Sequence, residues 1–359
     1  MTGLTKKIVF AASLLWLLGG CALGVSPKLS SDANTFRRSV DLLSVLINTQ
    51  YEMLEDIHQL SLSDSIDLQL TLGGSPSLFA EPLLSDAARL ARKKVLDLLR
   101  LYAYRLSNIL STETPETILS VGLSSYHAME RLKPADFNLS HSLDPSQAAA
   151  LTTSMTGFAK ILFLPKTTRK LSELTKETQV HIRQLVYLFF ADLGSSADLA
   201  AQCRFSTPAL LGELDFKKPT LCRGGIRGLM KAAVDANLRT LRQRLQLLST
   251  NDKAIGDERR ILVGKVMAIQ KFGRLQDSLI ADLQESLLLM LQAHAQLSAR
   301  LQIEAGETQA GGSMEKSHMS QMSLTEQFYA YVTTLSGRQK KLLVYFTKLS
   351  DENRYADQL

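Results

Sequence analysis

The chain has 359 residues, a formal charge of +6 and 45% hydrophobic residues, enough for a large buried core but weak grounds for a polyanionic partner such as nucleic acid. Three cysteines and six scattered histidines exclude a cysteine-rich scaffold and form no sequence-local metal-ligand set. No HExxH, GxSxG, CxxC or strand-linked GxGxxG pattern occurs, so no reaction is written in the motifs and no cofactor or metal is called for.

The first segment sets an address. Lys6 and Lys7 precede the apolar run Ile8–Leu18, and Gly19-Gly20 lead to Cys21. Eleven residues, all apolar but Ser13, make a helix of roughly 16 Å, too short for a hydrocarbon core of about 30 Å. A basic start, a short apolar centre and small residues at the exit fit a cleavable export signal. The ending Leu18-Gly19-Gly20-Cys21 resembles the lipobox of bacterial lipoproteins. That resemblance implies cleavage before Cys21, lipid on its thiol and acylation of the new amino terminus, so the protein would meet the membrane through Cys21. Ala22 at the next position is similar to the outer-membrane sorting signal of Gram-negative lipoproteins. Removing residues 1–20 takes away two lysines and no acid, which lowers the charge from +6 to +4.

Residues 21–34 are small and polar and read as a tether, followed by a helical domain over 35–305. Thr35 is the expected N-cap, and Phe36, Val40, Leu43, Ile47, Tyr51, Leu54 and His58 recur at helical steps. Ser65–Leu72 then alternates with period two and ends at Gly73-Gly74. It fits a strand needing a partner, or an extended loop whose leucines cover the bundle, with the loop favoured. A second helix is expected from Ser85-Asp86 through Leu90, Val95, Leu98, Tyr102, Leu106 and Ile109. Pro115 and Asp144-Pro145 open further helices, with a loop over 133–145. Another helix over 166–193 presents Leu171, Leu174, Ile182, Leu185, Val186, Phe189 and Phe190, and Gly194 closes it.

Residues 194–225 read as irregular and contain Cys203 and Cys222. Two cysteines in an exported chain suggest a disulfide closing this loop, which would stabilise by about 3 kcal/mol; two buried thiols are the alternative. Beyond them lies a basic stretch. Arg223 and Arg227 flank a glycine pair before a helix, where free N–H groups and guanidinium groups suit an anion; a solvated basic face is the simpler reading.

The longest helix runs from Asp257 to about Ala305, roughly 70 Å at 1.5 Å per residue. Its spine, Leu262, Val266, Ile269, Gly273, Gln276, Ile280, Leu283, Leu287, Met290, His294, Leu297 and Leu301, resembles a coiled-coil seam. Gly273 and Gln276 interrupt it where a close crossing or kink is expected, and His294 is expected to be a satisfied interior histidine. Residues 306–323 read as a flexible loop whose Met314, His318, Met319 and Met322 are soft donors without a repeated copper motif. A last helix and tail occupy 324–359, with Phe328, Tyr331, Leu335, Leu342 and Phe346 on its core side.

The expected fold is all-α: an elongated multi-helix bundle with one long coiled-coil-like helix and a disulfide-held loop. The expected function is that of a non-enzymatic, lipid-anchored envelope protein that presents helix faces to another envelope protein. A carrier holding an apolar ligand inside the bundle, or a membrane-active toxin-like helical protein, are the other readings.

Overall fold

The computed structural model describes residues 26–76, 82–84, 86–110, 168–194, 225–248, 253–306 and 322–356. These form six helices: α1 Pro27–Thr71, α2 Asp86–Leu110, α3 Thr168–Leu193, α4 Gly225–Leu247, α5 Lys253–Glu304 and α6 Leu324–Ala356. The fold is all-α, with no strand among the described residues. Cys21, Cys203, Cys222 and Arg223 lie outside them, as do the expected helices after Pro115 and Pro145, the 133–145 loop, and Met314, His318 and Met319.

The axis of the bundle is the antiparallel pair α1 and α5. Ser26 is bonded to Glu304 at one end, Asp32 to Arg300 below it, and Gln50 to Gln276 in the middle. At 52 residues, α5 spans about 78 Å. The expected seam is buried: Leu262, Ile269, Ile280, Leu283, Leu287, Met290, His294, Leu297 and Leu301 are all core residues. They are covered by this chain's own helices, so the seam is internal packing.

α6 returns antiparallel to α5 and parallel to α1. Tyr331 bonds Glu285, Arg338 pairs with Asp282, and Tyr345 donates to the Ala268 carbonyl at 3.2 Å. Its start is a capping box: Ser323 Oγ accepts from the Glu326 N–H at 3.3 Å, while the Glu326 carboxylate accepts from the Ser323 N–H at 2.8 Å. α2 lies against the first half of α1, where Arg100 reaches Asp41.

α3 and α4 lie end to end along α5, both antiparallel to it. Ser298 reaches back to Thr175 and Gln284 to the end of α3; Asp277 then meets Arg227, and Glu258 meets Arg244. Two shorter helices therefore shadow one long one. The joint between them depends on glycine. Gly194 (φ 69°) leaves α3 and Gly225 (φ 64°) opens α4, and a Cβ on Gly225 would sit 2.5 Å from the Asp192 carbonyl oxygen. Lower down, a Cβ on Gly273 would stand 3.0 Å from Val234 Cγ1, the close crossing expected at that glycine.

Four sequence expectations are corrected. The tether does not extend to residue 34: α1 begins at Pro27, with Leu29, Asp32 and Ala33 buried. The N-cap is Ser26, whose hydroxyl accepts from the Leu29 N–H at 3.3 Å, and Pro27 occupies the first turn where its missing N–H is harmless. Thr35 is mid-helix. Residues 65–71 are neither strand nor loop but the last two turns of α1. The Gly73-Gly74 pair that looked like a strand-ending turn is the helix stop: Gly73 N–H bonds Leu70 O at 2.9 Å and Gly74 N–H bonds Gln69 O at 2.9 Å, a Schellman arrangement. In α2, Leu90 is 51% exposed, whereas Arg92 takes the core position.

Candidate functional site

The interior is crossed by polar clusters at positions where a bundle core would ordinarily be aliphatic. The most charged lies at the α3–α4 joint. Arg92 and Asp192 are 1% and 6% exposed at their side chains. Arg92 Nε donates to Asp192 Oδ2 at 2.8 Å and Nη2 to Oδ1 at 2.6 Å, a two-pronged pair, while Nη1 donates to the Ala88 carbonyl. Tyr51 of α1 donates to Asp192 Oδ2 at 2.8 Å. Burial pushes the Tyr51 hydroxyl far above its ordinary value, helped by the Asp192 charge, so Tyr51 stays a neutral donor. Burial works against the Arg92 charge, but Asp192 and Tyr51 together carry its pKa above the usual value.

Gln284 completes the joint from α5. Its amide donates to the Phe190 and Gly194 carbonyls at 2.9 and 3.1 Å, adding to the Gly194 N–H bond that Phe190 already accepts and supplying Gly194 with a donor at the end of α3. Three helices thus clamp the point from which residues 195–224 depart and to which they return.

His294 forms a second cluster. Its Nε2 lies 2.6 Å from the Tyr102 hydroxyl and its Nδ1 against the Gln179 side-chain oxygen. A neutral ring satisfies both: Nδ1–H donates to Gln179, and Nε2 accepts from Tyr102. Complete burial drives the His294 pKa down to about 3 and that of Tyr102 well up. The Phe36 ring packs beside it, 5.8 Å between centroids. His294 is therefore an interior histidine with both nitrogens engaged and no exposed surface.

A third cluster pins the amino-terminal end. Asp32, 6% exposed, accepts from Arg300 of α5 and from Ser323 and Thr325 at the start of α6, at 3.2 and 3.1 Å for the two hydroxyls. Its charge also lies at the positive end of α6.

Of the residues expected to bind an anion, Arg227 already holds one. It is 7% exposed, and its guanidinium forks onto Asp277, with Nη2 donating at 2.7 Å. The joint-forming side chains were hidden by their polarity, yet their spacing marks them: Arg92, Val95, Leu99, Tyr102 and Leu106 form one continuous stripe of buried residues. Gln50 likewise lies between Ile47 and Leu54 at steps of three and four, and is fully buried.

Among the described residues no three His, Cys, Asp or Glu side chains group as metal ligands, and no helix is long and apolar enough to cross a membrane. Compared with protein-family models, curated proteins and solved structures, the chain matched none of them.

Proposed function

We propose that this chain is a lipid-anchored cell-envelope protein, held to the outer membrane through Cys21, that works without catalysis as a rod-shaped interaction module for another envelope protein. The observation that supports the reading is the position of Ser26 at one end of the bundle. Ser26, five residues after Cys21, is bonded through its hydroxyl and N–H to Glu304, the last residue of α5. A lipid on Cys21 would hold the rod by one end and leave helix faces exposed along its length of about 78 Å. Two or more acyl chains suffice for such anchoring.

The internal clusters favour a rigid support over a carrier. Arg92, Asp192, Gln284 and His294 are bonded to other groups of the chain and tie the helices to each other. The partner's contacts must then lie on outward faces rather than on the α5 seam.

The test of the anchor is labelled-palmitate incorporation together with the mass of the amino-terminal peptide. The expected result is a peptide beginning at acylated Cys21, with label lost in Cys21→Ser. An unlabelled wild-type chain would contradict the reading.

A further inference from the structure

We propose that the outward face of the α5–α6 pair, at the end of the rod away from Ser26, is a docking surface for an anionic phospholipid bilayer. From Arg259 to Gln276, α5 carries Arg259, Arg260, Lys265, Lys271 and Arg274 and no acid. From Gln327 to Ser350, α6 carries Arg338, Lys340, Lys341 and Lys348 and no acid. The two stretches are antiparallel neighbours, joined by the Tyr345–Ala268 bond and by the Phe272 and Phe346 rings at 5.2 Å. Nine like charges therefore share one region of the molecule.

Some of that charge is answered locally. Arg338 pairs with Asp282, Arg260 with Asp257 at 3.4 Å between exposed groups, Arg259 turns toward the end of α4 to donate to the Leu248 carbonyl at 3.5 Å, and Lys271 lies over the Tyr345 ring. Arg274, Lys340, Lys341 and Lys348 are exposed. Among these cations stand aliphatic side chains that the bundle leaves in water: Ile261 and Val344 are more than half exposed, and Met267 is 65% exposed. Gly264 and Gly337 are exposed too, with nothing within 4 Å of a would-be Cβ, so the surface is low at both.

The mixture selects the occupant. A purely phosphate partner would answer the cations and leave the aliphatic groups against polar surface. Nucleic acid would be better met by outward aromatic platforms, but Phe272 and Phe346 are turned inward and Tyr345 is half-buried. A bilayer interface offers phosphates at the level of the lysines and acyl carbon just beneath them. The face begins roughly 40 Å along α5 from Glu304 and extends to roughly 70 Å. A rod so bound lies along the membrane.

The test uses the full mature chain with Cys21→Ser, so that no lipid holds it, in flotation with vesicles of about seven parts phosphatidylcholine to three of phosphatidylglycerol. The wild-type face should bind these vesicles at low salt, release them at high salt and ignore pure phosphatidylcholine. Each removed cation should weaken binding about 5-fold, so the combined Arg274→Gln, Lys340→Gln, Lys341→Gln and Lys348→Gln variant should lose at least ~100-fold while keeping its helical circular dichroism. Met267→Ser with Val344→Ser should weaken binding about 10-fold and leave its salt dependence in place. Failure of the wild-type face to float with anionic vesicles, undiminished binding by the four-cation variant, or equal affinity for a DNA duplex would each overturn the proposal. Because the lipid is absent from this experiment, none of those results bears on the Cys21 anchor.

Discussion

The two halves of the rod are held together differently. Around α2 and α3, charges and imidazole are sealed inside: Arg92 on Asp192, His294 between Tyr102 and Gln179, Asp32 beneath the start of α6. Around α4, the ion pairs reach the rim, with Arg244 meeting Asp67 and Glu258 in half-exposed pairs and Arg227 on a partly exposed Asp277, while the buried Asp64 carboxylate is met by a neutral amide, Asn237, at 2.6 Å. The same residue types do different physical work. A sealed pair gains little over an apolar packing but is severe to break, because the survivor is left charged and dry. A rim pair is screened and replaceable. The first half is thus specified by sealed charge pairs and an imidazole, the second by aliphatic packing around one glycine crossing together with the neutral-to-charged Asn237–Asp64 bond.

Breaking the sealed half should have the largest effect. Asp192→Ala leaves the Arg92 guanidinium and the Tyr51 hydroxyl without their acceptor. We expect a loss of about 3–5 kcal/mol in urea unfolding. Replacing the pair together by Arg92→Met and Asp192→Leu should restore much of it, since matched apolar groups need no partner.

The glycine crossing tests the second half. Gly273→Leu should cost about 1–3 kcal/mol by driving α4 from α5, and Val234→Ala in the same chain should recover part of that loss. Recovery measured as a double-mutant cycle places the effect at this contact; independent, additive losses would remove the crossing from the account.

Acid sharpens the comparison further. The folded chain holds His294 neutral down to about pH 3, whereas the unfolded chain protonates it near pH 6.5. The unfolded state therefore binds the extra proton below that point. Stability contributed by the neutral ring is complete above about pH 6.5 and declines toward pH 3 at up to about 1.4 kcal/mol per pH unit. His294→Gln, which cannot titrate, should flatten the dependence between pH 7 and 5, above the range of ordinary carboxylates. An unchanged slope would mean that the ring is not sealed.

The smallest effect belongs to the rim. Arg244→Gln should cost no more than about 1 kcal/mol, with the difference from wild type shrinking at high salt. A loss as large as that of Asp192→Ala would erase the distinction between the halves.

The all-α class, α5 and the core sides of α3 and α6 were legible because aliphatic side chains at steps of three and four leave one physical solution. Two kinds of position were not. At Ser65–Leu72 an alternating pattern competed with helical continuation, and packing decided: Leu68 is buried, Asp64 bonds Asn237 and Asp67 meets Arg244, all favouring two more turns on α4. Leu70 and Leu72 simply remain exposed. At Arg92 and Gln50, polarity masked core positions, because a lone sequence does not reveal which distant partner, the Asp192 carboxylate or the Gln276 amide donor, will meet them. The candidate anion contact at Arg227 failed to remain free for the same reason: Asp277, fifty residues on, already occupies its fork.

The most direct test of the central claim is native mass spectrometry on the protein taken gently from cell envelopes. The account predicts a lipidated chain carrying a stoichiometric protein companion, present equally in the His294→Gln variant, whose change is internal. A lipidated chain with no protein companion, or one holding only a small apolar molecule, would contradict the role of interaction module.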